Sequence, residues 1–172
     1  MKKIYKIAVL LFTGLAISGL TLSCDEHGDE DPGATRTVEF AGDWFIVGYF
    51  SDGTVAYNGD YVLYSTYNAS SNDENFWIDD HNTFFQIKTK VQAEFGDLTF
   101  SGQSASEELY TGGTVTVTNG RIIKNGGRAY GSNTVVDSIY FEAEFDWDPG
   151  TTYIFGGHKR TGFLEDDSPT IE

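Results

Sequence analysis

The feature that most limits what this chain can become is two-residue alternation of apolar and polar side chains, bounded by turn residues. Over residues 84–95, Phe85, Ile87, Thr89, Val91, Ala93 and Phe95 share one side, and Gln86, Lys88, Lys90, Gln92 and Glu94 the other. Successive side chains of a strand point to opposite faces, so this pattern predicts a strand with one dry and one wet face. Residues 135–147 repeat it, with Ile139, Phe141, Ala143, Phe145 and Trp147 inward against Tyr140, Glu142, Glu144 and Asp146. Shorter runs at 54–57, 61–67, 75–79 and 98–101, and a last one at 151–162, read as further strands. Ser51-Asp52-Gly53, Asn58-Gly59-Asp60, Gly96-Asp97 and Asp148-Pro149-Gly150 mark turns between them. Asn119-Gly120, between 114–118 and 121–124, predicts a tight hairpin, because a type I′ turn needs positive φ at both central residues. Residues 102–108 carry no clear pattern and read as a loop or a single helical turn.

About eight antiparallel strands without a helix imply a sandwich or a closed barrel, and closure leaves no sticky edge. The first long run, residues 41–50, complicates this. Trp44, Ile46, Gly48 and Phe50 form one face, but Phe45, Val47 and Tyr49 make the other apolar too. Either the chain covers both faces or part of the wall meets a partner.

The N-terminus has the layout of a secretory signal over residues 1–23. Lys2, Lys3 and Lys6 precede an apolar run from residue 7 to 22, which is shorter than the roughly 20 residues a membrane-spanning helix needs. Ser23 then precedes the single cysteine, Cys24, an arrangement resembling the lipidation site of bacterial lipoproteins, with Thr21 and Leu22 in swapped order. An unpaired cysteine in an exported chain otherwise has no partner, so Cys24 is the expected lipid attachment point. Residues 24–37, opening with Asp25-Glu26-His27-Gly28-Asp29-Glu30-Asp31, read as an acidic tether. A barrel domain follows at 38–164, then an acidic tail at 165–172. The expected location is the outer membrane, facing the periplasm or the cell surface.

Loss of the signal removes three lysines and no acids, taking the formal charge from −15 to −18. Without a basic stretch the chain cannot neutralise phosphates, which excludes nucleic-acid binding and direct docking on an anionic bilayer. Any membrane link runs through the lipid.

Gly42-Asp43-Trp44, with Arg160 in the last strand, resembles the lipocalin and calycin arrangement, in which an Arg covers the Trp at the closed end. Such a cation–π contact is worth about 0.5–2 kcal/mol. Together with Trp77-Ile78-Asp79-Asp80, Asp148-Pro149-Gly150-Thr151-Thr152-Tyr153 and Gly157-His158-Lys159-Arg160-Thr161-Gly162-Phe163, these segments are similar to the lipid-binding putative hydrolases. That family comprises small exported lipocalin-like lipoproteins, and the likeness spans residues 40–163. It implies a lipocalin-like β-barrel and an apolar ligand, and it supplies no catalytic residue that maps onto this sequence.

Catalytic motifs are scarce. Gly102-Gln103-Ser104-Ala105-Ser106 fails the nucleophile-elbow pattern at its last position, and no H-E-x-x-H occurs. A Ser–His–Asp set around His158 could be assembled only by the fold. Asp79-Asp80-His81 reads either as a metal or general-base site or as an Asp/Asn-rich turn. Glu107-Glu108 is either a carboxylate pair or a solvated edge. No metal or cofactor is expected.

The 13 Phe, 10 Tyr and 3 Trp suit a barrel that is either filled by its own rings or open to one small ligand. Trp44, Ile46, Phe85, Ile87, Phe141, Phe145, His158 and Arg160 are the expected ligand-lining residues, with Trp44 and Arg160 closing one end. His158 shares parity with Ile154 and Arg160, so without a bulge at Gly156-Gly157 it would point inward. The sequence thus favours a lipid-anchored carrier of a small hydrophobic ligand. The alternatives are an interaction module docking Phe45, Val47 and Tyr49 on an envelope protein or glycan, and a weak hydrolase.

Overall fold

β1 (Gly42–Phe50) pairs antiparallel on both edges, with β2 (Val62–Asn68) and with the last strand, β9 (Thr152–Lys159). From β2 the sheet runs through β3 (Asn75–Asp79), β4 (Lys88–Glu94) and β5 (Thr99–Ser101). From β9 it runs through β8 (Val135–Phe145) to β7 (Thr114–Arg128). β5 then pairs with β7 and closes an eight-stranded antiparallel barrel. A two-residue strand, β6 (Ser106–Glu107), adds to β7 beside β4. This computed structural model describes residues 33–168. The signal segment, Cys24 and the tether up to residue 32 lie outside the described residues. Contacts divide the chain after Ala34, and the barrel lies wholly within the second unit.

The alternation does its work as expected. Trp44 and Ile46 of β1 face inward with Val62 and Tyr64 of β2, Phe76 and Ile78 of β3, and Val91 and Ala93 of β4. Phe100, Val115, Val117, Ile139, Phe141, Phe145 and Phe155 complete the lining. Rings from separated strands meet inside. Tyr64 lies 6.3 Å from Phe141 and 6.2 Å from Phe155, and Phe141 stacks on Phe155 at 4.6 Å. Phe100 reaches Phe141 at 6.2 Å and Phe76 at 5.3 Å. The aromatic surplus therefore fills the interior.

Five local expectations change. Asn119-Gly120 is no hairpin. β7 continues through it, and its register with β8 shifts between Thr118 and Arg121. Asn119 takes φ 53°, but Gly120 pairs with Phe100, whose ring lies 2.2 Å from where a Cβ would sit. The dipeptide is thus a bulge that lets one long strand bend between β5 and β8. The strand expected from residue 84 begins at Lys88, and Phe85 and Ile87 fold inward from a loop instead. Trp147 lies beyond the end of β8, half-exposed. The run at 54–57 gives only a bridge from Val55 to Tyr49, followed by a 3-10 turn, Tyr57–Gly59.

β9 holds the fifth change. Its register with β1 runs without a bulge from Phe50↔Tyr153 to Trp44↔Lys159. Directly paired residues share a face, so Tyr153, Phe155, Gly157 and Lys159 follow the inward parity of Trp44 and Ile46. His158 pairs with Phe45 on the outer wall, and Arg160 follows it outward. The expectation that both point into the barrel is corrected by one residue of parity.

The chain itself covers the second apolar face of β1. Phe45 and Val47 are 3% and 5% exposed although they point outward. His158 lies 5.8 Å from Phe45 and 5.4 Å from Tyr61, ring to ring. The C-terminal segment, with its turn Leu164–Asp166, folds against this wall and buries Asp166 and Ser168.

Candidate functional site

The two barrel ends differ. At one, a 3-10 turn (Val38–Phe40) inserts Phe40, which stacks on Phe76 at 5.1 Å and meets Phe95 and Phe100 edge-on. Trp44 sits behind this plug, fully buried. Its Nε1 donates to Thr66 Oγ1 at 2.8 Å, and that hydroxyl donates onward to the Phe40 carbonyl at 2.5 Å. The cation over the Trp44 ring is Lys159, its Nζ 5.5 Å from the centroid, and not Arg160. Arg160 instead grips Asp167 through Nε (2.8 Å) and Nη2 (2.6 Å), tying the C-terminal segment to the outer wall. Trp44 does seal this end, but under a cation one residue earlier.

The opposite end is built from loops rich in rings. Residues 80–87 hang between β3 and β4, with His81, Asn82 and Gln86 at positive φ. Asp80 ties the loop base: its N–H donates to the Ile87 carbonyl at 3.0 Å, and its Oδ1 accepts from the Ile87 and Asn82 N–H groups. Phe85, at the loop's inner side, drops into the barrel mouth. It packs edge-on against Phe155 at 4.6 Å and Tyr153 at 5.2 Å, and stacks with Phe145 at 5.8 Å. Gly48 makes room, since a Cβ there would lie 2.7 Å from the Phe85 ring.

Above Phe85 an open cleft of about 470 Å³ is lined by Tyr57, Phe84, Gln86, Asp146 and Trp147 together with the Thr111–Gly113 turn. Tyr57 stacks on Phe84 at 5.0 Å and stands edge-on to Phe85 at 5.0 Å. Trp147, 46% exposed, stacks on Phe145 at 5.0 Å. Exposed rings thus lead without interruption to buried ones. A second depression, about 330 Å³, lies on the outer wall around Trp77, Asn75, Gln92 and Gln103. Lys90 Nζ already stands 4.8 Å over its one large ring, so we place the candidate site at the mouth.

Two carboxylates hold the rim. Glu108 is buried, and its oxygens accept from the N–H groups of Lys88, Tyr110 and Thr111 and from the Thr111 hydroxyl. This resolves the Glu107-Glu108 alternatives: Glu108 organises a turn and Glu107 is exposed. Asp79 collects Lys88 Nζ (2.8 Å), the hydroxyls of Tyr67 (2.7 Å) and Tyr110 (2.5 Å), and the His81 N–H (2.9 Å). Burial alone would raise its pKa, but these donors outweigh it and hold the carboxyl at about 2. Asp79-Asp80-His81 is therefore a turn with Asp side chains capping the N–H groups two residues on.

Neither Ser–His contact has the geometry of a nucleophile and its base. Ser168 Oγ lies 3.2 Å from His158 Nε2, but the pair is buried, and the Asp166 oxygens are taken by the Ser132 N–H and the Thr161 hydroxyl. Burial lowers the His158 pKa, partly offset by the Asp166 charge. Ser65 Oγ lies 2.9 Å from His81 Nε2, but donates its proton to Asp43 Oδ1 at 2.6 Å. Among the described residues no group of three His, Cys, Asp or Glu could hold a metal ion.

Of the expected ligand-lining residues, Trp44, Ile46, Phe85, Ile87, Phe141 and Phe145 face the interior, with only Phe85 and Phe145 at the mouth. His158 and Arg160 belong to the outer wall. Sequence reasoning missed Tyr57, Phe84 and Tyr64 as site residues, whose roles come from loop geometry and register. No curated protein matches this chain. The family described as lipid-binding putative hydrolase matches residues 29–164, which include every strand of the barrel, and the chain belongs to that family.

Proposed function

We propose that this protein binds a small lipid or other amphipathic molecule at the aromatic mouth of its barrel, without transforming it, while a lipid on Cys24 anchors it to the outer membrane. The observation that carries this reading is the continuity of rings from Tyr57 and Trp147 in the open cleft, through Phe85, to the buried Phe155 and Phe141. An apolar chain entering there leaves water at about 25 cal/mol per Å² buried. Phe85 is the ring it must displace, and Phe85 sits on a loop whose hydrogen bonds gather at the base around Asp80 rather than along a ladder. Neither Ser–His contact suits nucleophilic attack, which supports a carrier over a hydrolase. The basic, then apolar, then Ser23-Cys24 order supports the anchor, and the −18 charge supports a location where the domain itself does not touch anionic lipid.

Native mass spectrometry of protein extracted from cells tests the binding reading. A co-purifying lipid adduct, lost on delipidation and regained with monolaurin, is expected. Absence of any adduct, with no uptake of monolaurin, would refute it.

A further inference from the structure

Among the described residues, three buried side-chain polar atoms lack a partner: Thr37 Oγ1, Tyr64 Oη and Asp80 Oδ2. Thr37 belongs to the sealed end. The other two belong together. β2 and β3 pair as Thr66↔Ile78 and Ser65↔Asp79, so the next step of the register sets Tyr64 beside Asp80 on the inner face. Directly opposed residues have Cβ atoms about 4.5–5.5 Å apart. Tyr64 is 1% exposed and Asp80 0%. Tyr64 is one ring below Phe85, since Phe155 lies 4.6 Å from Phe85 and 6.2 Å from Tyr64, ring to ring.

A buried hydroxyl and a buried carboxylate oxygen left unpaired forfeit the hydrogen bonds that water gave them in the unfolded chain. Two such groups on adjoining inward positions, close enough for the Asp80 charge to act on the Tyr64 phenol, make a polar spot in an aromatic interior, the usual way an apolar pocket fixes one end of its ligand. We propose that Tyr64 and Asp80 form a headgroup site for a hydroxyl-bearing lipid, such as a long-chain alcohol or an acylglycerol, whose OH donates to Asp80 Oδ2 and accepts from the Tyr64 phenol. The proposal rests on the lipid-binding reading above and specifies the ligand's polar end.

The chemistry selects a hydroxyl. It is the smallest group that donates and accepts at once, so one atom satisfies both orphans. A fatty-acid carboxylate would place a second negative charge beside Asp80, and among the described residues no Lys, Arg or His pairs with Asp80. An ammonium would leave the Tyr64 proton without an acceptor. Burial raises the Asp80 pKa, opposed by N–H donors of the loop and by the Thr83 hydroxyl, and the Asp80 charge adds to burial in raising that of Tyr64. Both directions accord with two buried groups within electrostatic reach of each other.

The test compares dodecanol and laurate, equal in chain length, on purified protein at neutral pH, with an apolar naphthylamine dye as a headgroup-free probe. Dodecanol is expected to bind about tenfold or more tighter than laurate. Tyr64→Phe, which removes only the hydroxyl, should cut that preference about tenfold while leaving dye binding unchanged. Asp80→Asn should admit laurate. Laurate binding as well as dodecanol, or an unchanged preference in Tyr64→Phe (the two atoms then being bridged by internal water), would overturn the proposal while sparing the lipid-binding reading. Failure of all three probes to bind would overturn both.

Discussion

Gly48→Ala tests whether Phe85 closes the mouth. The added methyl would lie 2.7 and 2.8 Å from two atoms of the Phe85 ring, closer than real contacts allow. Gly48 pairs with Phe155 in the middle of β1, and its backbone is ordinary strand that alanine adopts freely. The ring on a loop should therefore yield, not the strand. Phe85 is 4% exposed, and bringing such a side chain out to solvent costs about 1.5–3 kcal/mol. Alanine in a strand interior returns about 0.5–1 kcal/mol relative to glycine. The variant should lose about 1–2 kcal/mol, lowering Tm by about 3–8 °C. The cost of moving Phe85 out, about 1.5–3 kcal/mol, is what a ligand must supply to open the wild-type mouth, so monolaurin should bind Gly48→Ala about 10–150 times more tightly. Urea denaturation gives the stability, and titration calorimetry gives the affinity. A variant as stable as wild type with unchanged or weaker binding would refute the idea that Phe85 blocks the ligand path.

Two further outcomes follow from the rim and from the sealed end. Asp79 is held below its ordinary 3.8 at about 2, so its contribution is complete above 3.8 and is lost as pH falls through 2. Its size is about 2 kcal/mol. Asp79→Asn should therefore flatten the decline of stability over that acid window in pH-dependent urea titrations, and an unchanged acid limb would contradict the assignment. Thr66→Val removes both the acceptor for the Trp44 indole and the donor to the Phe40 carbonyl. A loss of about 1–3 kcal/mol is expected in denaturation, with ligand affinity unchanged because the mouth is untouched. Weakened binding there would place the ligand at the wrong end.

The barrel was legible in the sequence because alternation survives burial of one face. Residues 88–94 and 135–145 declare their inner sides without ambiguity, and closure follows from the need to hide edges. Asn119-Gly120 misleads because positive φ at Asn119 serves a bulge as readily as a turn. Nothing local says that Phe100 will need the space above Gly120. In β9 the glycine pair carries no side chain to report which face is inward. The sequence therefore points to Arg160 over Trp44, where Lys159 provides the cation. The double apolar face of β1 gave two options, and the covering segment, which buries the polar Asp166 and Ser168, has no apolar periodicity to announce it. Phe85 and Ile87 look like strand because alternation persists where the chain leaves the sheet. The mouth was invisible for the opposite reason: Tyr57, Phe84 and Trp147 come from three loops that only the fold brings together.

Titration of isotope-labelled protein with monolaurin, followed residue by residue in amide and aromatic NMR spectra, tests the location of the ligand most directly. Shifts should concentrate at Tyr57, Phe84, Phe85, the Thr111–Gly113 turn and Trp147, with Trp44 and Phe40 at the sealed end unmoved. Shifts centred on the sealed end or on the outer wall around Trp77, or none at saturating monolaurin, would contradict it.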